Sequence, residues 1–210
     1  MRQRRPGRRA PDSCVSGSEL AGLALRLTLG PTLMYHGYNK VAGAGGLEGT
    51  TRWFEALGLR PAAVHARMAA ATELGAGFCF AVGVASPLPA AAIIGLMAVA
   101  ARTDHRNKGF FVFKGGAEYV IVFASAAAAE AAIGPGRWSL DALRGKDRGG
   151  GSWALLAATA GLLAAAALLA VSYRPEADSH EPSAASEPVE GSDEDISPPP
   201  EGTSSDEDAQ

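Results

Sequence analysis

Between Trp153 and Tyr173 the chain runs for 21 residues without a charged side chain, built mostly of Ala and Leu and closed at each end by an aromatic ring. A helix rises about 1.5 Å per residue, so this stretch reaches across a hydrocarbon core of about 30 Å. Trp and Tyr are the side chains that settle at the two membrane–water boundaries. Backbone groups inside hydrocarbon have to be satisfied within the segment, which makes this span a helix. Composition elsewhere splits sharply. From Glu176 onward there is no Lys, Arg, Cys, Phe, Trp or Tyr, while Glu, Asp, Ser and Pro dominate. Such a stretch cannot bury enough apolar surface to offset its ordering entropy and is expected to be disordered. The formal charge of -3 therefore sums a basic head, a mildly basic centre and an acidic tail.

Four further apolar stretches precede the clean one. The first, Leu20 to Tyr38, is interrupted only by Arg26 and His36. A basic head before it and small residues after it (Ala42, Gly43, Ala44) also fit a signal peptide, but Arg26 inside the apolar run argues against cleavage. Gly43 to Arg60 reads as a glycine turn and an interfacial segment, with Trp53, Phe54 and Leu57 on one side and Arg52 and Glu55 elsewhere. Pro61 starts a second span, Ala62 to Ser86, whose Ala66, Ala69, Gly77 and Gly83 allow close helix contact. Pro87 and Pro89 mark a turn into a short third span, Leu88 to Ala101, extendable to Thr103. The fourth, Phe110 to Ile133, ends at Gly134-Pro135-Gly136. The fold class expected is an all-α membrane protein: a four-helix transmembrane bundle, an additional C-terminal transmembrane helix and a disordered acidic tail. Its divisions are a disordered basic N-terminus over 1–18, the four-helix membrane domain over 19–145, a linker and fifth helix over 146–173, and the tail over 174–210.

An ionisable residue at the bilayer centre costs at least about 2.5 kcal/mol on insertion scales, so each requires a partner or a purpose. Arg26, Glu73 and Glu118 meet that description, and counted from the span ends they lie at similar depth. A buried cluster of one cation and two carboxylates follows, with Lys114 able to reach Glu118 one turn away. Such a cluster either locks helix packing or serves a site, and the two readings stand side by side. Arg26, Gly30, Leu33, Gly37 and Lys40 fall on one face of the first helix at helical spacing, a face expected to look inward. His36 and Lys40 stand at the membrane edge, where they either snorkel or contact an anionic or quinone-like headgroup. His65 and Arg67 are expected to snorkel with no special role. Cys14 and Cys79 form neither a CxxC nor a zinc pattern, and Cys79 reads as an apolar filler. No metal site is expected.

The order of these features resembles the DoxX family of small bacterial integral membrane proteins. The resemblance rests on Leu25-Arg26-Leu27, on His36-Gly37 with Lys40, on Glu73, on Lys114-Gly115-Gly116-Ala117-Glu118-Tyr119, and on Gly134-Pro135-Gly136-Arg137-Trp138-Ser139-Leu140-Asp141. It spans roughly Leu20 to Leu143 and lies in the combination, each piece alone being common. It implies a four-helix membrane bundle; some relatives are small subunits of quinone-linked thiosulfate oxidation, and others associate with thiol or oxidative-stress proteins. It also makes a quinone the one cofactor to consider. The chain departs from the family by adding Trp153 to Tyr173 and the tail. It offers no cysteine pair, haem-ligand pair or metal motif with which to carry electrons, which points away from catalysis by the chain itself.

The function these observations imply is a non-catalytic membrane subunit or adaptor for a quinone- or thiol-linked oxidoreductase; the alternative is a small proton-linked permease using intramembrane carboxylates. The partners expected are the lipid bilayer, a redox enzyme and further copies of the chain, not nucleic acid. With the N-terminus inside a bacterial inner membrane, nine Lys and Arg fall inside and eight outside, a small bias that the five arginines of the head decide toward a cytoplasmic N-terminus. Truncation at Arg174 is expected to leave membrane yield unchanged, because Ser179 to Gln210 has almost nothing to pack; a large fall in yield on an immunoblot of the membrane fraction would contradict this.

Overall fold

A computed structural model describes residues 15–146 and 148–175. The basic head with Cys14 and the acidic tail from residue 176 lie outside the described residues. Those described are helical: α1 (Gly17–Ala42), α2 (Gly46–Ala56), α3 (Ala62–Val82), α4 (Leu88–Thr103), α5 (Glu118–Ile133), the short α6 (Leu140–Leu143) and α7 (Gly151–Ser172). No strand occurs among them beyond one isolated antiparallel bridge, Leu59 with Tyr173.

Local sequence sets the helix ends. Ser16 and Glu19 close a reciprocal capping box at the start of α1, satisfying two otherwise orphaned donors. The helix therefore begins before the expected Leu20, and it runs through Pro31 to Ala42. Pro61 and Pro87 stand immediately before α3 and α4, where a missing N–H costs nothing.

The five long helices alternate in direction. α1 packs on α3, α4 on α7, and α5 touches α1, α4 and α7. Glycine sets the closest approaches. A Cβ on Gly30 would lie 2.8 Å from the Gly77 carbonyl oxygen, and one on Gly77 would lie 2.8 Å from that of Gly30. Gly95 and Gly161 bring α4 against α7 in the same way. The core between them holds Leu29, Leu33, Phe80, Ile93, Ile94, Met97, Val120 and Phe123. The outer surface is apolar too: Leu155, Leu162, Leu163 and Val171 of α7, like Leu20, Leu27 and Phe78, stand exposed. α7 alone among the described helices has the length and composition to cross a membrane unaided, and Leu88–Thr103 is a shorter apolar helix.

The expected fourth span is corrected. Phe110 to Ala117 is not helical except for a 3-10 turn at Val112–Lys114, and α5 starts only at Glu118. Gly115 takes a φ of 78° that ends the turn, a conformation glycine adopts without steric cost. Phe110, Phe111 and Phe113 consequently stand exposed. The interfacial segment also has a structural role. α2 lies against α1 and α3, Phe54 is buried with Leu59, Ala62, Ala66 and Ala69, and Arg60 N donates to the Ser172 carbonyl at 2.8 Å.

Close glycine packing makes a paired prediction. Gly77→Ala is expected to destabilise the bundle by about 1–3 kcal/mol through overpacking. Gly75→Ala, two residues away with nothing within 4 Å of its Cβ, is expected to be neutral or to stabilise by up to about 1 kcal/mol through helix propensity. Thermal unfolding in detergent should move the two variants in opposite directions.

Candidate functional site

Two polar clusters form inside the bundle, one toward each end. The first gathers where the C-terminal part of α1 meets α3. Lys40 Nζ donates to Glu73 Oε1 at 2.8 Å, and the side chains are only 15% and 7% exposed. Helix register places this pair: a Cβ on Gly37 would lie 3.0 Å from the Glu73 Cβ, so Lys40, one turn on, folds over the carboxylate. Lys40 Nζ also lies 5.9 Å from the Trp53 ring centroid, on α2. The His36 ring sits 5.5 Å from that of Tyr119, which lies 4.7 Å from Phe123. The second carboxylate oxygen of Glu73, Oε2, is buried and accepts no hydrogen bond from the described residues.

These groups edge a cavity of about 510 Å³, within the size range of small-molecule sites. His36, Lys40, His65, Thr72, Glu73 and Tyr119 are among its polar lining residues, and Trp53, Leu96, Val99 and Leu168 are among its apolar walls. The walls come from α1, α2, α3, α4, α5 and α7 together. Below α2 the chain pairs residues 58–60 with 172–174, and Arg102 Nη1 donates to the Tyr173 hydroxyl at 3.0 Å. His65, expected to snorkel, is buried instead, with its Nε2 3.2 Å from the Arg60 carbonyl oxygen. Arg67 is exposed, as expected.

The second cluster lies near the other end. Arg26 is 1% exposed, and its Nη2 donates to the Trp138 carbonyl at 2.8 Å. Gly83, in the left-handed region, leaves the room: a Cβ there would collide with the guanidinium. The carboxylates within electrostatic reach are Glu130 of α5 and, beyond it, Asp141. Asp141 is itself 1% exposed; its Oδ2 accepts from Ser86 N at 2.9 Å, and its own N donates to the Gly83 carbonyl at 3.0 Å.

The single cluster of Arg26, Glu73, Glu118 and Lys114 is therefore corrected. Glu73 pairs with Lys40, and Arg26 lies within electrostatic reach of Glu130 without a direct ion pair, its Nε and Nη1 having no hydrogen-bond partner among the described residues. Glu118 caps the turn before α5, where its Oε2 accepts from Val112 N at 2.9 Å. Lys114 is exposed, 6.0 Å from the Phe113 ring centroid; with no helix before Glu118, the one-turn pairing of Lys114 with Glu118 has no basis. The inward face of α1 stands, since Arg26, Gly30, Leu33 and Gly37 are buried. His36 and Lys40 both reach the cavity, so Lys40 does not snorkel. Glu130 was missed although it stands alone in an alanine-rich run, the same signal that singled out Glu118. Tyr119 and Asp141 carry no signal in the sequence beyond the runs that contain them.

The family model DoxX matches residues 21–106. That segment runs through α1, α2, α3 and α4, and it holds His36, Lys40 and Glu73. It stops short of the Lys114–Tyr119 and Gly134–Asp141 runs on which the resemblance also drew. No curated protein and no solved structure matches the chain.

Two double-mutant cycles test the rearranged pairs. Lys40→Met with Glu73→Gln, and Arg26→Leu with Glu130→Gln, are each expected to show coupling of about 1 kcal/mol or more, since removing one partner strands a buried charge. Arg26→Leu with Glu73→Gln is expected to be additive. Thermal unfolding in detergent measures all three, and coupling in the last cycle alone would restore the single-cluster arrangement.

Proposed function

The chain belongs to the DoxX family of membrane proteins through residues 21–106, and from that premise we propose that it is a non-catalytic membrane subunit that holds a small amphipathic ring compound of quinone type for an oxidoreductase partner. The observation that carries this reading is the cavity of about 510 Å³ in which His36, Lys40, Glu73 and Tyr119 converge on apolar walls. An apolar chamber with a few convergent polar groups holds a ligand by its body and orients it by its head. Trp53 and Tyr119 give flat apolar contact to a ring. In this reading α1, α3, α4, α5 and α7 cross a bacterial inner membrane in alternating directions, with the N-terminus cytoplasmic. The exposed leucines of α7 and the apolar outer faces of α1 and α3 support the embedding.

A second reading is favoured by one observation: the buried carboxylates Glu73 and Glu130 sit toward opposite ends of the bundle. Intramembrane carboxylates mark proton relays in carriers. Five helices are few for a carrier, so this reading needs assembly of several copies.

Protein purified in mild detergent is expected to release a lipid-soluble ring compound on solvent extraction, seen by absorbance and mass spectrometry. Leu168→Trp, which fills the cavity from α7, should abolish the release. Affinity capture of the tagged chain should recover an oxidoreductase. Capture of abundant membrane proteins alone, with nothing extracted, would sink the proposal. Substrate-driven proton flux in proteoliposomes would move the conclusion to the carrier.

A further inference from the structure

A strongly apolar surface also stands outside the long helices. Between α4 and α5 the side chains of Phe110, Phe111, Val112 and Phe113 are all exposed, Phe113 by 77%. They form one patch: the Phe111 and Phe113 rings stack at 5.3 Å, and Phe110 meets Phe111 edge-on at 5.6 Å. Single apolar residues on a surface are ordinary, whereas four in succession on a connecting loop mark a contact surface.

The loop is held so that these rings face outward. Its two ends are tied together, Ala117 N donating to the Gly109 carbonyl at 3.1 Å and Glu118 N to that of Phe110 at 2.8 Å. Val112 N donates across the loop to Glu118 Oε2 at 2.9 Å, and His105 Nδ1 lies 2.6 Å from the Gly115 carbonyl oxygen. Gly116 packs its backbone on that of Phe110, where a Cβ would come within 2.5 Å.

Position and charge say what covers the patch. The loop lies at the end of the bundle where α1, α4 and α7 finish, the end that also carries the exposed Trp53 and the Arg102–Tyr173 contact. Aromatic rings at such an end belong at the boundary between headgroups and acyl chains. Arg106, Lys108 and Lys114 flank the rings and are exposed. Asp104 takes Lys108 at 3.0 Å, whereas Arg106 and Lys114 have no ion pair among the described residues. Lys114 Nζ stands 6.0 Å from the Phe113 ring centroid, so ring and cation are presented together. An aromatic tip edged by uncompensated cations complements a layer that is apolar inside and carries phosphate at its surface.

We propose that the Phe110–Phe113 loop is an interfacial anchor that seats its aromatic tip beneath the headgroups and binds the phosphate of anionic phospholipid through Arg106 and Lys114. This rests on the transmembrane reading above and goes beyond it, because it assigns a lipid-selective contact to a segment that does not cross the bilayer. His105, which holds Gly115, also lines the cavity, so the anchor sets that end of the cavity at headgroup depth.

The test uses the full chain in liposomes, with Cys14→Ser and Cys79→Ala, and a nitrobenzoxadiazole label at Val112→Cys; a second labelled protein carries it at Leu163→Cys, exposed on α7. Brominated phospholipid should quench both labels, and aqueous iodide neither. Phe111→Ser with Phe113→Ser should open the label at position 112 to iodide. In detergent the same label should report short-chain phosphatidylglycerol binding roughly fivefold or more tighter than short-chain phosphatidylcholine, and Arg106→Gln with Lys114→Gln should bring that ratio to about one. Iodide access at position 112 with bromine quenching at position 163 overturns the anchor and leaves the transmembrane reading intact; iodide access at both overturns both. A label at position 112 shielded from bromine and iodide alike means that protein, a partner or a second copy, covers the loop, and overturns the lipid contact. Equal binding of the two lipids overturns the assignment of Arg106 and Lys114.

Discussion

Contact of backbone with backbone between Gly30 and Gly77 is the constraint on which the polar interior depends. Two helices without side chains at their crossing can approach far more closely than leucine-lined helices, and the approach locks their relative register. Once Gly30 faces Gly77 and Gly37 faces Glu73, the antiparallel run puts Arg26 against Gly83 and Lys40 within reach of Glu73. The ends of α1 then carry cations in different company: Lys40 pairs with Glu73, while Arg26 holds the Trp138 carbonyl within electrostatic reach of Glu130. A shift of one turn would strand Arg26 in alkyl surroundings and open the Lys40–Glu73 contact, an arrangement costly in a low-dielectric interior.

That register explains why sequence reasoning found the right face of α1 and the wrong company for it. Helical spacing alone shows that Arg26, Gly30, Leu33 and Gly37 share a side, and the small residues show which side is packed. Depth is another matter. Measured from span ends set at Tyr38 and Ala62, Arg26 and Glu73 fall in one layer. In the structure α1 continues to Ala42, and the residues of α3 opposite Arg26 and opposite Lys40 are about ten positions apart, roughly 15 Å along the helix. A chain-end estimate cannot see a register that two glycines determine.

Glu118 failed for a different reason. Hydropathy counts Phe110, Phe111, Val112 and Phe113 as span, and nothing in an apolar sum distinguishes aromatic side chains on a loop from those on a helix. The distinguishing signal was present in Gly109, Gly115 and Gly116, which punctuate the run and supply positive φ at two places, but a glycine in a membrane segment is also common packing material. Glu130 was legible by the criterion applied to Glu118. It lies three residues before Ile133 and is 3% exposed. The tertiary partners of Asp141 could not be read from sequence, since they depend on how residues 134–146 fold back over α3 and α4.

The two polar clusters differ in the space beside them and not in satisfaction, since each keeps buried polar atoms without a hydrogen-bond partner among the described residues: Arg26 Nε and Nη1 and Ser86 Oγ at one end, Glu73 Oε2 at the other. At the Arg26 end, irregular backbone is tied down by side chains: Arg26 holds the Trp138 carbonyl, Asp141 holds Ser86 N, and Ser139 Oγ accepts from Ala142 N. Non-helical backbone is tolerated at depth only when its polar groups are satisfied in this way, so these contacts serve closure, and the neighbouring cavity holds only about 10 Å³. At the Lys40 end the polar groups edge a chamber some fifty times larger. Buried charge thus sits among closely packed turns at one end and beside an open chamber at the other. That difference in space is the reason the proposed ligand site lies at the Lys40–Glu73 end and not at the Arg26 end.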